Sequence, residues 1–105
     1  MNNEISKIVN EEMAALKKKD RDFQAYLNEK LSPESDTYIR SHGTIINMRN
    51  GKPPRTELLE DILSVYQPSD RRFLFALNLL AVKSPHVWGC GGVVWSLSKL
   101  PKKVE

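Results

Sequence analysis

Apolar residues recur three and four positions apart along most of this chain, the spacing that gathers them on one side of an α-helix. Over Glu4–Lys19 the recurring positions are Ile5, Ile8, Val9, Met13 and Leu16, with Ala14 and Ala15 adding helix propensity. That stripe is narrow, which fits either a solvent-facing helix with one packed edge or an arm for dimer contacts. Phe23, Tyr26, Leu27 and Leu31 predict a core helix over 23–31, capped by Asp20 or Asp22. Leu58, Leu59, Ile62, Leu63 and Tyr66 predict another over Glu57–Tyr66, stopped by Gln67-Pro68. Ser69 is placed to cap a further helix running through Val82. Phe73, Leu74, Ala76, Leu77, Leu80 and Ala81 make that helix broadly apolar, so it should be the most buried. Arg71 and Arg72 lie in its first turn, where cations oppose the helix dipole unless an acidic partner or a phosphate meets them.

Two stretches resist this reading. Ser32-Pro33-Glu34-Ser35-Asp36 is turn-rich, and Thr37-Tyr38-Ile39-Arg40 after it fits a short helix or a loop equally well. Beyond Ser84-Pro85 the chain carries Gly89-Cys90-Gly91-Gly92. Val93, Trp95 and Leu97 then alternate as in a strand, while Val93, Leu97 and Leu100 fit a helix, so 93–100 stays open. The tail Lys99–Glu105 is basic and is expected to fray.

Between them, 41–50 reads as one short helix with both ends signalled. Ser41 is its expected N-cap, Ile45 and Met48 its buried pair. Asn50-Gly51 is its stop, because glycine suits a left-handed C-terminal residue, and Pro53-Pro54 forbid continuation. His42, Asn47, Arg49 and Asn50 are left facing outward or sideways. A helix this short is not stable alone.

The sum is an all-α bundle of about five helices in one domain: an N-terminal helix over 4–19, a core over about 22–82 and a Gly/Trp-rich C-terminal extension over 84–105. The 105 residues suit one domain, and 40% hydrophobic with 28% charged residues is a globular composition. A formal net charge of +3 permits a polyanionic partner without requiring one. The lone Cys90 cannot form an internal disulfide and fits a reducing compartment. No apolar run approaches the ~20 residues of a membrane span, and the first residues lack a signal-peptide layout. A cytoplasmic location is therefore expected.

Catalytic and metal chemistry find little to work with. A zinc site wants about four ligands, against one cysteine and two histidines here. His86 and Cys90 are spaced four apart, but Pro85 and Gly89 argue against one helix face holding both. Cys90 with His42 or His86 lacks an orienting third group for nucleophilic catalysis. The glycine-rich run is not followed by the Lys-Ser/Thr of a phosphate loop. Glu57, Glu60 and Asp61 fall on the wet side of their helix. The expectation is no enzyme, no cofactor and no metal.

Thr44-Ile45-Ile46-Asn47-Met48-Arg49-Asn50-Gly51-Lys52, then Pro54 and a helix with Leu58-Leu59 and Ile62-Leu63, resembles the recognition helix and following helix of the phage-repressor (Cro/repressor-type, xenobiotic-response-element) helix-turn-helix family. The match covers about residues 41–66. It departs from the family where Ile39-Arg40 precede the cap, where Ser-Pro-Glu-Ser is inserted upstream, and at Gly43, which offers no side chain. Phe23–Leu31 would then supply a supporting helix through a longer connection than usual.

The resemblance implies a DNA-binding transcriptional regulator of phage or mobile-element type, its 41–50 helix in the major groove of duplex DNA. His42 and Asn47 would read base edges, asparagine pairing bidentately with adenine. Thr44, Asn50, Lys52 and Arg55 would hold phosphates, with Ser41 and Arg49 completing the DNA-facing set. Trp88 and Trp95 lie beyond the matched region and suit either a homodimer interface through the extension or a fold-back onto the core. The rival reading is a helical protein-interaction adaptor without DNA binding, anchored by those two tryptophans.

Overall fold

The structure, a computed structural model, describes residues 3–84. Within them lie five helices and no strand: α1 (Asn3–Leu16), α2 (Asp20–Asn28), α3 (Gly43–Arg49), α4 (Thr56–Val65) and α5 (Arg71–Lys83). α4 packs along α5, α1 packs on both α5 and α3, and α2 packs on α3. The expectations for His86, Trp88, Cys90, Trp95 and 93–100, and for the extension as a dimer contact, fall outside the described residues.

The stripes face where their spacing places them. Ile5, Val9 and Met13 of α1 are buried, with Ile8 and Leu16 packed at the margin. Phe23 and Leu27 of α2 join them, and so do Leu58, Leu59, Ile62 and Leu63 of α4. α5 contributes the most buried residues, Phe73, Phe75, Ala76, Leu77, Leu79 and Leu80. Leu74 departs from the expectation: it lies on the outer side of α5 and is 51% exposed.

Helix boundaries correct three expectations. α2 begins at Asp20, three residues early, and Lys19 precedes it without a side-chain cap. Asp20 and Asp22 sit inside the first turn, where their charge favours the dipole instead of capping. α5 is capped by Asp70, not Ser69: the Asp70 carboxylate accepts the Arg72 backbone N–H at 2.9 Å. The two cations behind that cap both have acidic partners, Arg71 on Glu12 and Arg72 on Asp70 and Glu29.

Two helices end with the same pair of backbone hydrogen bonds. The Lys17 and Lys18 N–H groups donate to Ala14 and Met13, and those of Gly51 and Lys52 donate to Met48 and Asn47. Each pattern needs a left-handed residue just past the helix. At α3 that residue is Gly51, φ 94°, as its sequence signalled; at α1 it is Lys17, φ 55°. A side chain in this region costs about 1–2 kcal/mol. Gly51→Ala is therefore expected to destabilise by about 1 kcal/mol and Lys17→Gly to stabilise by a little less. Urea midpoints moving in the same direction for both would refute that pairing.

The fourteen residues between α2 and α3 fold into a braced connection. Asn28, 7% exposed, donates from Nδ2 to the Ile39 carbonyl and accepts the Ile39 N–H on Oδ1, at 2.8 and 2.9 Å. Gln24 adds a second donor to the same carbonyl. The Thr37 hydroxyl donates to the Asp61 carboxylate on α4. Tyr66 receives the Lys30 N–H on its hydroxyl, which donates in turn to the Leu27 carbonyl. Burial pushes the Tyr66 phenol up, so it stays neutral.

Candidate nucleic-acid interface

α3 has seven residues, and Ile45 and Met48 are pressed into the core. At ~100° per residue, Gly43, Ile46, Asn47 and Asn50 share the opposite side. Asn47 and Asn50 are exposed and Ile46 is 38% exposed, so this side of α3 is open to solvent among the described residues. It carries amides and one aliphatic side chain but no charge.

The start of α3 differs by one position from the expectation. His42, not Ser41, stands directly before the helix, and its side chain caps nothing. The Ser41 hydroxyl still satisfies a first-turn donor, accepting the Gly43 N–H at 3.0 Å. Ser41 is exposed and His42 half-buried at this end. Asn50 is not left-handed itself; Gly51 takes that conformation.

Arg49 is committed elsewhere. Its Nη1 pairs with Asp20 at 2.8 Å, its Nε donates to Asn10 Oδ1 at 3.0 Å, and its carbonyl accepts from Ser6 and Asn10. The side chain thus stitches the end of α3 to α1 and α2. The helix turn places it on the inner flank, beside Ile45. Its side chain is still 44% exposed, so Arg49 braces the end of α3 while staying at the surface.

The other flank gathers four residues of the DNA-facing set. Thr44, Asn47, Lys52 and Arg55 line one groove of about 300 Å³, with Arg40 and Asp36. The Lys52 ammonium has no ion-pair or hydrogen-bond partner among the described residues. Arg55 donates from Nη2 to the Asp36 carbonyl at 3.3 Å and is otherwise exposed. Ser41 and His42 belong to a second, more open concavity with Arg21, Gln24, Tyr38 and Arg40. Arg40 stands between the two.

Three residues of this surface escaped the sequence reading. Ile46 points outward on the phase that Ile45 and Met48 set, although it is apolar and adjoins Ile45. Arg21 closes the run Lys17-Lys18-Lys19-Asp20-Arg21, which reads as a solvated helix end. Arg40 lay in one of the two stretches whose local structure could not be assigned.

Among the described residues no three His, Cys, Asp or Glu side chains could hold a metal ion, and no helix is long and apolar enough to cross a membrane. No family model, no curated protein and no solved structure matches the chain.

Proposed function

We propose that the chain binds duplex DNA through the outer side of α3 and serves as a transcriptional regulator of the phage or mobile-element type. The observation that carries this reading is the uncharged, hydrogen-bonding side of α3 with cations on its border: Lys52, Arg55 and Arg40 on one flank, Arg21 near the N-terminal end. An α-helix is about 10–12 Å across with its side chains, which a major groove about 12 Å wide admits. Asn47 is the adenine reader, through its paired amide donor and acceptor. Ile46 supplies apolar contact to a thymine methyl. Ser41 and His42 approach bases at the helix start, and Thr44, Asn50, Lys52 and Arg55 fix the register on phosphates. Such a regulator works in the compartment that holds the DNA, the cytoplasm of a bacterial host.

Random-site selection with the purified chain, followed by binding titrations on the selected duplex, tests the reading. With about five phosphates neutralised, log K against log salt should fall with a slope near −4.5. Asn47→Ala is expected to cost about 1–3 kcal/mol on the selected duplex and little on unrelated DNA. Equal loss on both would reduce Asn47 to a structural role. Binding indifferent to salt, or unchanged in Lys52→Ala/Arg55→Ala, would overturn the DNA reading.

One observation favours the adaptor reading. Leu74, half exposed, borders a shallow groove with Ile8, Glu12, Arg71 and Asn78 on the α1–α5 side, which contains none of the α3 residues. A protein partner seated there would bind with little salt dependence and would be lost in Leu74→Asp.

A further inference from the structure

The long connection before α3 does more than join two helices. From Thr37 to Arg40 the burial alternates: Thr37 and Ile39 point inward, while Tyr38 is half-buried and Arg40 exposed. Thr37 lies in a turn and the Tyr38 N–H donates to the Ser35 carbonyl, while the Asn28 amide grips both backbone polar groups of Ile39. With Ile39 pinned in the core at 3% exposure, its two neighbours are forced to the outside together.

Those neighbours stack. The Arg40 guanidinium lies 5.7 Å from the Tyr38 ring centroid. Its Nη2 donates to the Pro33 and Ser35 carbonyls at 2.9 and 3.0 Å, which fixes the plane of the group. The Nε and Nη1 hydrogens have no partner among the described residues. A guanidinium with five donors has thus been oriented by some and left open by the rest. It faces both concavities that border the start of α3. Arg21 lines one of them, Lys52 and Arg55 the other, and no carboxylate other than that of Asp36 lines either.

We propose that Arg40, set by Tyr38 and Asn28, is a phosphate-binding post: the connection contributes a backbone contact of its own beside α3, and its ligand is a phosphodiester oxygen. This rests on the DNA reading above and adds a contact element to it. An Arg ordered in advance loses less side-chain freedom on binding than Lys52, whose ammonium has no partner among the described residues. A phosphate contact also adds affinity without sequence preference.

The test uses the full chain on two duplexes, the selected one and an unrelated one, titrated over a range of salt. Arg40→Gln is expected to weaken both complexes by a similar factor, roughly tenfold at low salt, and to reduce the salt slope by about 0.9, one phosphate's worth. Arg40→Lys should restore most of the slope, since the charge returns. An unchanged slope in Arg40→Gln would overturn the proposal, even with lower affinity, because a residue that only braces the connection moves affinity without releasing fewer counterions. A loss confined to the selected duplex would overturn it as well. Free inorganic phosphate competing at millimolar levels against the wild type but not against Arg40→Gln would mark a small-anion site in place of a duplex contact. If the wild type binds and responds to Asn47→Ala while Arg40→Gln leaves the slope intact, only the post is refuted. If the wild type binds no duplex, the DNA reading itself falls and takes the post with it.

Discussion

Phe23→Ala should lower the unfolding free energy by about 4 kcal/mol, which for a chain of this size moves the melting midpoint by about 20 °C. Phe23 is fully buried, at 0% exposure. Its ring meets Phe75 of α5 edge to face, with centroids 5.3 Å apart at 90°, and lies 5.8 Å from Tyr26. Among the side chains that α2 buries, Phe23, Leu27 and Asn28, this ring is the largest. Truncation removes the transfer free energy of the ring, the edge-to-face contact and the packing around the vacated volume. Phe23→Leu, which keeps most of the volume, should lose less than half as much. Urea denaturation of the three proteins checks both statements, and a loss under about 1.5 kcal/mol for the alanine variant would show that α2 is not integral to the core.

Arg72→Ala is expected to cost about 3 kcal/mol for a different reason. The side chain is 11% exposed. Its guanidinium lies between two aromatic rings, 4.4 Å from the Tyr26 centroid and 4.1 Å from that of Tyr66. It donates to Asp70 from both Nε and Nη2, and from Nη1 to Glu29 and the Tyr26 carbonyl. One residue therefore joins the start of α5 to α2 and to the end of α4. Removing it leaves a mostly covered Asp70 carboxylate without its ionic partner, the circumstance in which a broken ion pair is expensive. The bond from Arg72 holds the Asp70 carboxyl below its ordinary 3.8. A carboxyl depressed by folding stabilises at pH above its unfolded value and loses that contribution as pH falls through the folded one. The gap between wild type and Arg72→Ala should accordingly be full above about pH 5 and narrow below about pH 4. A gap that stays constant down to about pH 2 would mean that packing on the tyrosines, not the ion pair, carries the effect.

The sequence was most legible where a local rule acts with no competitor. Gly51 had to be left-handed because it follows a short helix and precedes two prolines. Ile45 and Met48 had to be buried because they are the pair that one helical face can hold together. It was least legible in 29–42, where the chain's shape is dictated by Asn28, a residue that looks like any polar helix end. Nothing local distinguishes an asparagine that ends a helix from one that grips a segment eleven residues away. The bonds that Arg49 makes were hidden for a related reason. Its neighbours Asp20 and Asn10 come from other helices, and only their approach turns a surface cation into a structural one.

Periodicity, end signals and proline placement by themselves determined five helices, their approximate limits and most of the core. These are properties of segments shorter than about twenty residues, and backbone geometry translates them directly. Tertiary structure alone decided which cations are spent on partners and which stay open, that Asp70 and not Ser69 starts α5, and that Tyr38 and Arg40 stand beside α3. Each of those depends on pairs of residues far apart in the chain, and a pairing of that kind leaves no period in the sequence.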